Sequence, residues 1–187
     1  MRFIAAADVS AAALLLICIF ALEFLQSPNG VFMLISIIIA ALAVILDQIS
    51  KQMIMHTFFE GQTLPIIKNV LHITYVTNDG AAFGMFDDCR WLFMIISVLA
   101  VIALPIVIHF TKKEGKLLLV SLSMVWGGGI GNLIDRFFYP ENKVVDFIDF
   151  RLINFAVFNI ADSFVTVGCV LMIVWCILSF IKEKEKR

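Results

Sequence analysis

The sequence predicts an all-α membrane protein. A four-helix transmembrane core is expected, with an additional N-terminal helix and a small extracytoplasmic β-rich segment. Three observations carry this reading. Hydrophobic residues fill 61% of the 187 positions, and mean hydropathy is +1.00. Only 16% of residues are charged, against about a quarter in soluble domains. The charges cluster, leaving uncharged runs at 24–46, 91–111, 117–134 and 163–181. A helix needs about 20 apolar residues to cross a hydrocarbon core of about 30 Å, and each run has about that length.

The first run opens with the turn formers "QSPNG" at 26–30, so its helix is expected over about 31–50. The other spans are expected near 91–110, 117–134 and 160–181. Upstream, 9–22 is short for a span, and including Phe3–Ala7 makes it long enough if Asp8 lies near an interface. A cleaved signal peptide fits poorly, because Arg2 is the sole basic residue before the apolar run and no small-x-small site follows it. The expected organisation is therefore a 1–30 extension with an extra helix, a core at 31–181, and a charged tail at 182–187.

Orientation follows from Lys and Arg. The turn "TKKEGK" (111–116) and the tail "KEKEKR" (182–187) concentrate basic residues, so both are expected in the cytoplasm. Segments 51–90 and 135–159 then face the other side. A net charge of −1 argues against a nucleic-acid partner. Neither the four cysteines nor His56, His72 and His109 show metal-ligand or disulfide spacing, so no metal or cofactor is expected.

Between the first two spans, "VLHITYVTN" (70–78) is rich in β-branched residues and reads as a strand or two. "NDGAAFGMF" (78–86) follows it. A small sheet could cover the helix ends, or the segment could be a plain surface loop. Asp47 and Lys51 stand at i, i+4. The simple account is an ion pair with Lys51 snorkelling to the interface, which also allows a bracing role beside a site. In "GGGIGNLIDR" (127–136), the glycines at 127, 128, 129 and 131 would admit a second helix or an extended substrate backbone. Asn132, Asp135 and Arg136 share a broad face. They could form an Asp–Arg pair at the interface, or Asn132 and Arg136 could hold a substrate's carbonyls.

Two carboxylates remain. Asn159 and Asp162 in "FNIADS" read as an N-cap with an acid at N3, where the helix dipole favours a carboxylate. Asp146, flanked by Val and Phe in "VVDFIDF", is no freely solvated acid, and capping does not explain it. Ionisable groups at membrane depth default to a functional reading. Two carboxylates brought together share a proton, so one can activate a water while the other polarises a carbonyl. The helix N-terminus biases Asp162 towards the ionised form, and the apolar neighbours bias Asp146 towards the protonated one.

The ordered set "DQISK" (47–51), "NDGAAFG" (78–84), "GGGIGNLIDR" (127–136), "VVDFIDF" (144–150) and "FNIADS" (158–163) resembles the lipoprotein signal peptidase (signal peptidase II) family over about 31–181. The resemblance implies an intramembrane aspartic endopeptidase of the bacterial inner membrane. Such an enzyme cuts prolipoproteins just before a diacylglyceryl-modified cysteine and is inhibited by globomycin. It implies Asp146 and Asp162 as the catalytic pair. Asn78, Gly80, Asn132, Arg136 and Asn159 are implied at the substrate site, with Asp47, Lys51, Gly131 and Asp135 as structural support. The implied partners are lipid-modified prolipoproteins and membrane lipid, and a monomer is expected. Three features depart from the family pattern: the N-terminal extension, a longer "FFYPENK" (137–143), and a shorter link from Asp146 to Asp162. The chain is not itself a lipoprotein, because Ile17 precedes Cys18 where a small residue is required. A proton- or cation-coupled transporter and a scaffold whose polar residues only cap helices are the rival classes. No internal repeat supports the first.

Overall fold

The computed structural model describes residues 30–78, 90–111, 114–153 and 155–186. The expected N-terminal helix and Gly80 lie outside them. In chain order the described elements are α1 (Gly30–Thr57), β1 (Thr63–Ile67), β2 (Leu71–Asn78), α2 (Arg90–Thr111), α3 (Lys116–Phe138), β3 (Val144–Phe150) and α4 (Ile160–Glu185). Each of the four helices contains a stretch long and apolar enough to cross a membrane.

α1 continues seven residues past the expected end at about residue 50. Its 28 residues make a rod about 42 Å long at about 1.5 Å per residue, longer than the hydrocarbon core. Met33, Ser36, Ala40, Ala43, Asp47, Lys51 and Ile54 are its buried stripe, spaced at three and four residues as one helix face requires. The opposite face leaves Leu34, Ile38, Leu42, Ile45 and Ile49 exposed, which suits lipid.

The helices meet where side chains are small. A Cβ added to Gly127 would lie 2.7 Å from the backbone of Ala40, and one added to Gly128 would collide with the carbonyl of Ala161. Gly131 faces Asp47 and Ala161 in the same way. At these three positions helix packing, not a substrate backbone, explains the glycine. α3 is thus the central helix, with α1 and α4 against it. Met33, Ile108, Leu118, Leu119 and Leu122 close the far end of the bundle.

β1, β2 and β3 form one antiparallel sheet in that order. β2 is the strand expected from 70–78; β3, the "VVDFIDF" segment, is a strand beyond those expected. It pairs along β2 with Asp149 opposite His72, Asp146 opposite Val76 and Val144 opposite Asn78, across an irregularity between Ile73 and Val76. Val145 and Phe147 pack with Ile54 of α1 and seat the sheet on the helix ends. At the other end of β3, Thr74 and Arg151 donate to Asp149 at 2.6 and 2.8 Å. Burial raises the Asp149 carboxyl, but these bonds outweigh it and hold the group below its ordinary range.

Candidate active site

Asp146 and Asp162 arrive from different kinds of element. Asp162 stands in the first turn of α4, which begins with a capping box. The Asn159 side chain accepts from the Asp162 N–H at 2.9 Å, and the Asp162 carboxylate accepts from the Asn159 N–H at 3.2 Å. This cap is the one the sequence indicated. Asp146 is carried by β3 and is 2% exposed. Strand pairing brings Asn78 beside it, and the Asn78 amide donates to Asp146 Oδ2 at 2.9 Å.

Asn159 joins the two carboxylates. Fully buried, it donates from Nδ2 to Asp146 Oδ1 at 2.6 Å while its carbonyl oxygen caps the Asp162 amide. Asn132 closes the circuit: its Nδ2 donates to Asp162 Oδ1 at 2.7 Å, and its Oδ1 accepts from Asn159 at 3.0 Å and from Lys51 Nζ at 3.1 Å. Burial first, and then the neighbouring Asp162 charge, push the Asp146 carboxyl up to about 7. A carboxyl raised in this way favours its protonated form near neutral pH.

Both carboxylates open on one cavity of about 520 Å³, which Asn78, Asn132, Arg136, Phe155, Val157 and Thr166 also line. Arg136 reaches Ser97 of α2 at 3.4 Å. Four residues of the implied substrate site therefore meet differently: Asn78, Asn132 and Arg136 face the cavity, and Asn159 lies behind it. Asp135 does not pair with Arg136. Consecutive helix residues are about 100° apart, and Asp135 turns to the α1 side, where Lys51 holds it at 2.7 Å.

Lys51 does not snorkel either. It is fully buried, with Asp47 and Asp135 both at 2.7 Å. Two carboxylates exceed one ammonium, and burying the surplus charge is costly without donors. Backbone amides supply them. Asp47 Oδ1 accepts the Ala161 N–H at 2.9 Å, and Asp135 Oδ2 accepts the Val145 N–H at 3.1 Å. Each amide belongs to the residue just before one of the paired aspartates. The buried ion cluster thus grips both segments at the point where Asp146 and Asp162 leave the backbone.

Sequence reading missed Gln48, Gln52 and Tyr139, which border this cluster. A usable signal existed: Gln48 and Gln52 repeat the i, i+4 spacing of Asp47 and Lys51 on a helix that is otherwise mostly apolar.

A family model described as signal peptidase (SPase) II matches residues 39–178. A lipoprotein signal peptidase of Trichormus variabilis is 44% identical over 140 residues, covering 73% of this chain and 85% of that protein. Two solved structures, each described as a bacterial membrane enzyme determined by the in meso method, at 2.3 and 1.9 Å resolution, are also similar. Their TM-scores are 0.68 and 0.65 at 36% and 38% identity; they cover 81% and 74% of this chain and 90% of each solved chain. With four apolar helices and a match across most of its length, this multi-pass membrane protein belongs to the signal peptidase II family of peptidases.

Proposed function

We propose that this protein is an aspartic endopeptidase that removes signal peptides from diacylglyceryl-modified prolipoproteins, cutting just before the lipidated cysteine. One observation carries the reading: Asp146 and Asp162 reach the same cavity and are linked through Asn159. Asp162, held by the helix N-terminus and the Asn132 amide, takes a proton from a water lying between the carboxyls. Asp146, carrying the shared proton, donates a hydrogen bond to the scissile carbonyl oxygen. The water oxygen bonds to the carbonyl carbon, and charge develops on the carbonyl oxygen. As the C–N bond breaks, the proton held by Asp162 passes to the departing cysteine nitrogen. The signal peptide leaves with a new carboxyl group and the lipoprotein with a free amine.

Asn78, Asn132 and Arg136 are the groups that hold the peptide's carbonyls along the cavity wall. Asn159 acts from behind, setting the reach of Asp146. Gly80, outside the described residues, is assigned to the same substrate site. The peptidase unit is 31–181, between the extension at 1–30 and the charged tail at 182–187. The basic turn and tail favour a cytoplasmic C-terminus and an active site on the extracytoplasmic side of the bacterial inner membrane. There the substrate's acyl chains stay in lipid while the peptide enters the cavity, and the protein acts as a monomer.

The test is a prolipoprotein peptide in detergent, offered with and without diacylglycerol on its cysteine, with products read by mass spectrometry. Cleavage of the lipidated peptide alone, at the bond before cysteine and blocked by globomycin, is the expected outcome. Cleavage elsewhere, or equal cleavage of the unlipidated peptide, contradicts the assignment.

A further inference from the structure

The segment 137–143, which departs from the family pattern, places Tyr139 just beyond α3. Its phenol lies between two glutamines of α1. Tyr139 donates from its hydroxyl to Gln48 Oε1 at 2.9 Å, and Gln52 Nε2 donates to the same hydroxyl at 2.9 Å. Burial, and then the Asp135 carboxylate, push the phenol up to about 12, so the hydroxyl keeps its proton and remains a donor.

Fixing the Gln48 carbonyl fixes the other end of that amide. Gln48 Nε2 donates to Asp135 Oδ1 at 2.8 Å and lies 3.2 Å from both Asp47 Oδ2 and the Gly131 carbonyl. A flipped amide would turn its oxygen onto two carboxylates, so the orientation with oxygen towards Tyr139 is the one both ends favour. Asp135 in turn holds the Val145 amide through its other oxygen. A continuous path of hydrogen bonds therefore runs from Tyr139 to the residue before Asp146.

We propose that the Tyr139 hydroxyl is a positioning group for the peptidase reaction: through Gln48 and Asp135 it fixes the backbone at Val145 and so the reach of the Asp146 carboxyl towards Asp162. The inference rests on the aspartic reading above. Tyr139 touches no reacting atom. It lies outside the cavity lining, on the far side of the buried ion cluster, and acts through the groups between.

Tyr139→Phe keeps the ring and removes only the hydroxyl. The expected result is a folded variant whose kcat falls about tenfold, the scale of a small misplacement at a reacting centre, with KM within about twofold. Loosening β3 lets Asp146 draw away from Asp162, so its titration midpoint moves to lower pH. That midpoint is followed by infrared spectroscopy on the protonated-carboxyl band that Asp146→Asn removes. Asp162, Lys51 and Arg136 are the charged groups around it, and all three stay in place in this variant.

Gln48→Met cuts the same path one step nearer and keeps the test open should the first variant fold poorly. It must move the midpoint in the same direction, and adding Tyr139→Phe to it must add nothing. A Tyr139→Phe variant with wild-type kcat and midpoint overturns the proposal. So does one that melts lower while both stay unchanged, since that is a purely structural role. If wild type fails to cleave the lipidated peptide, the proposed activity falls, and the infrared midpoint alone decides the role of Tyr139.

Discussion

The contact between α1 and α3 is built in two ways along its length. In its apolar half, Ala40 and Ala43 lie against Gly127 with nothing between the backbones. Nearer the site, Asp47 and Lys51 lie against Gly131, Asn132 and Asp135, and the same two helices are joined by buried charge. The apolar half needs only small volume and tolerates no addition. The polar half carries a desolvation cost that simple adhesion would not justify. What it adds is placement, because the carboxylates that flank Lys51 are also the acceptors for the amides of Ala161 and Val145. Within one interface, packing sets the distance between helices and charge sets the position of the site.

Breaking the polar half is the largest perturbation. Lys51→Met leaves Asp47 and Asp135 buried without their shared cation, and an uncompensated buried charge costs about 3–5 kcal/mol. Denaturation in detergent should show a loss of that size, together with loss of cleavage. A variant as stable as wild type would mean that the cluster is better solvated than its burial indicates.

The titration of Asp146 gives an effect that pH alone reveals. Its folded-state value, about 7, lies above the ordinary 3.8, so the folded protein holds a proton that the unfolded chain releases. The stabilisation is complete below about 3.8 and is lost as pH rises through about 7. Relative to Asp146→Asn, which lacks this titration, wild type should lose stability across that window. Under the proposed mechanism, cleavage should also fall on the alkaline side as Asp146 loses the proton it offers the scissile carbonyl. A pH–rate profile flat from 6 to 9 would contradict this (a range chosen to span about one to two units around the midpoint).

In the apolar half, Gly127→Val is the matching test. Its side chain would meet the Ala40 backbone, and overpacking of this kind costs about 1–3 kcal/mol. Stability should drop while the pH dependence of the remaining activity stays that of wild type, because no group of the site moves its charge. A shifted profile would show that the two halves are coupled. The smallest effect belongs to the sheet, where Thr74→Val removes the hydroxyl's bonds to Asp149 and Thr63 at about 1 kcal/mol each. Thermal unfolding should register it with cleavage unchanged.

The same division explains what could be read from the chain before its structure. The spans follow from uncharged runs, and the Asn159–Asp162 cap is local, with both partners inside one helical turn. β3 was hidden because "VVDFIDF" has apolar residues at both parities, so no alternation marks it. Its pairing with β2 is what brings Asn78 to Asp146. The fate of Lys51 was hidden for another reason. An i, i+4 pair on α1 looks like a surface pair unless a third charge, Asp135, is known to arrive from α3. The extra turns of α1 are hard to see because its last three turns, 47–57, mix Asp, Gln, Lys and His with Ile and Met, a pattern that reads as the end of a span.

The most direct measurement replaces each paired carboxylate in turn. Wild type, Asp146→Asn and Asp162→Asn would be given the lipidated prolipoprotein peptide, with each variant first shown to melt cooperatively in detergent. Asparagine keeps the shape and one of the two acceptor oxygens but cannot carry the proton, and general acid–base catalysis is worth roughly 10²–10⁴ in rate. Both folded variants should lose at least that much of kcat. A folded variant that cuts at the wild-type rate would show that its carboxylate only holds the fold together, and the two-aspartate mechanism would be wrong.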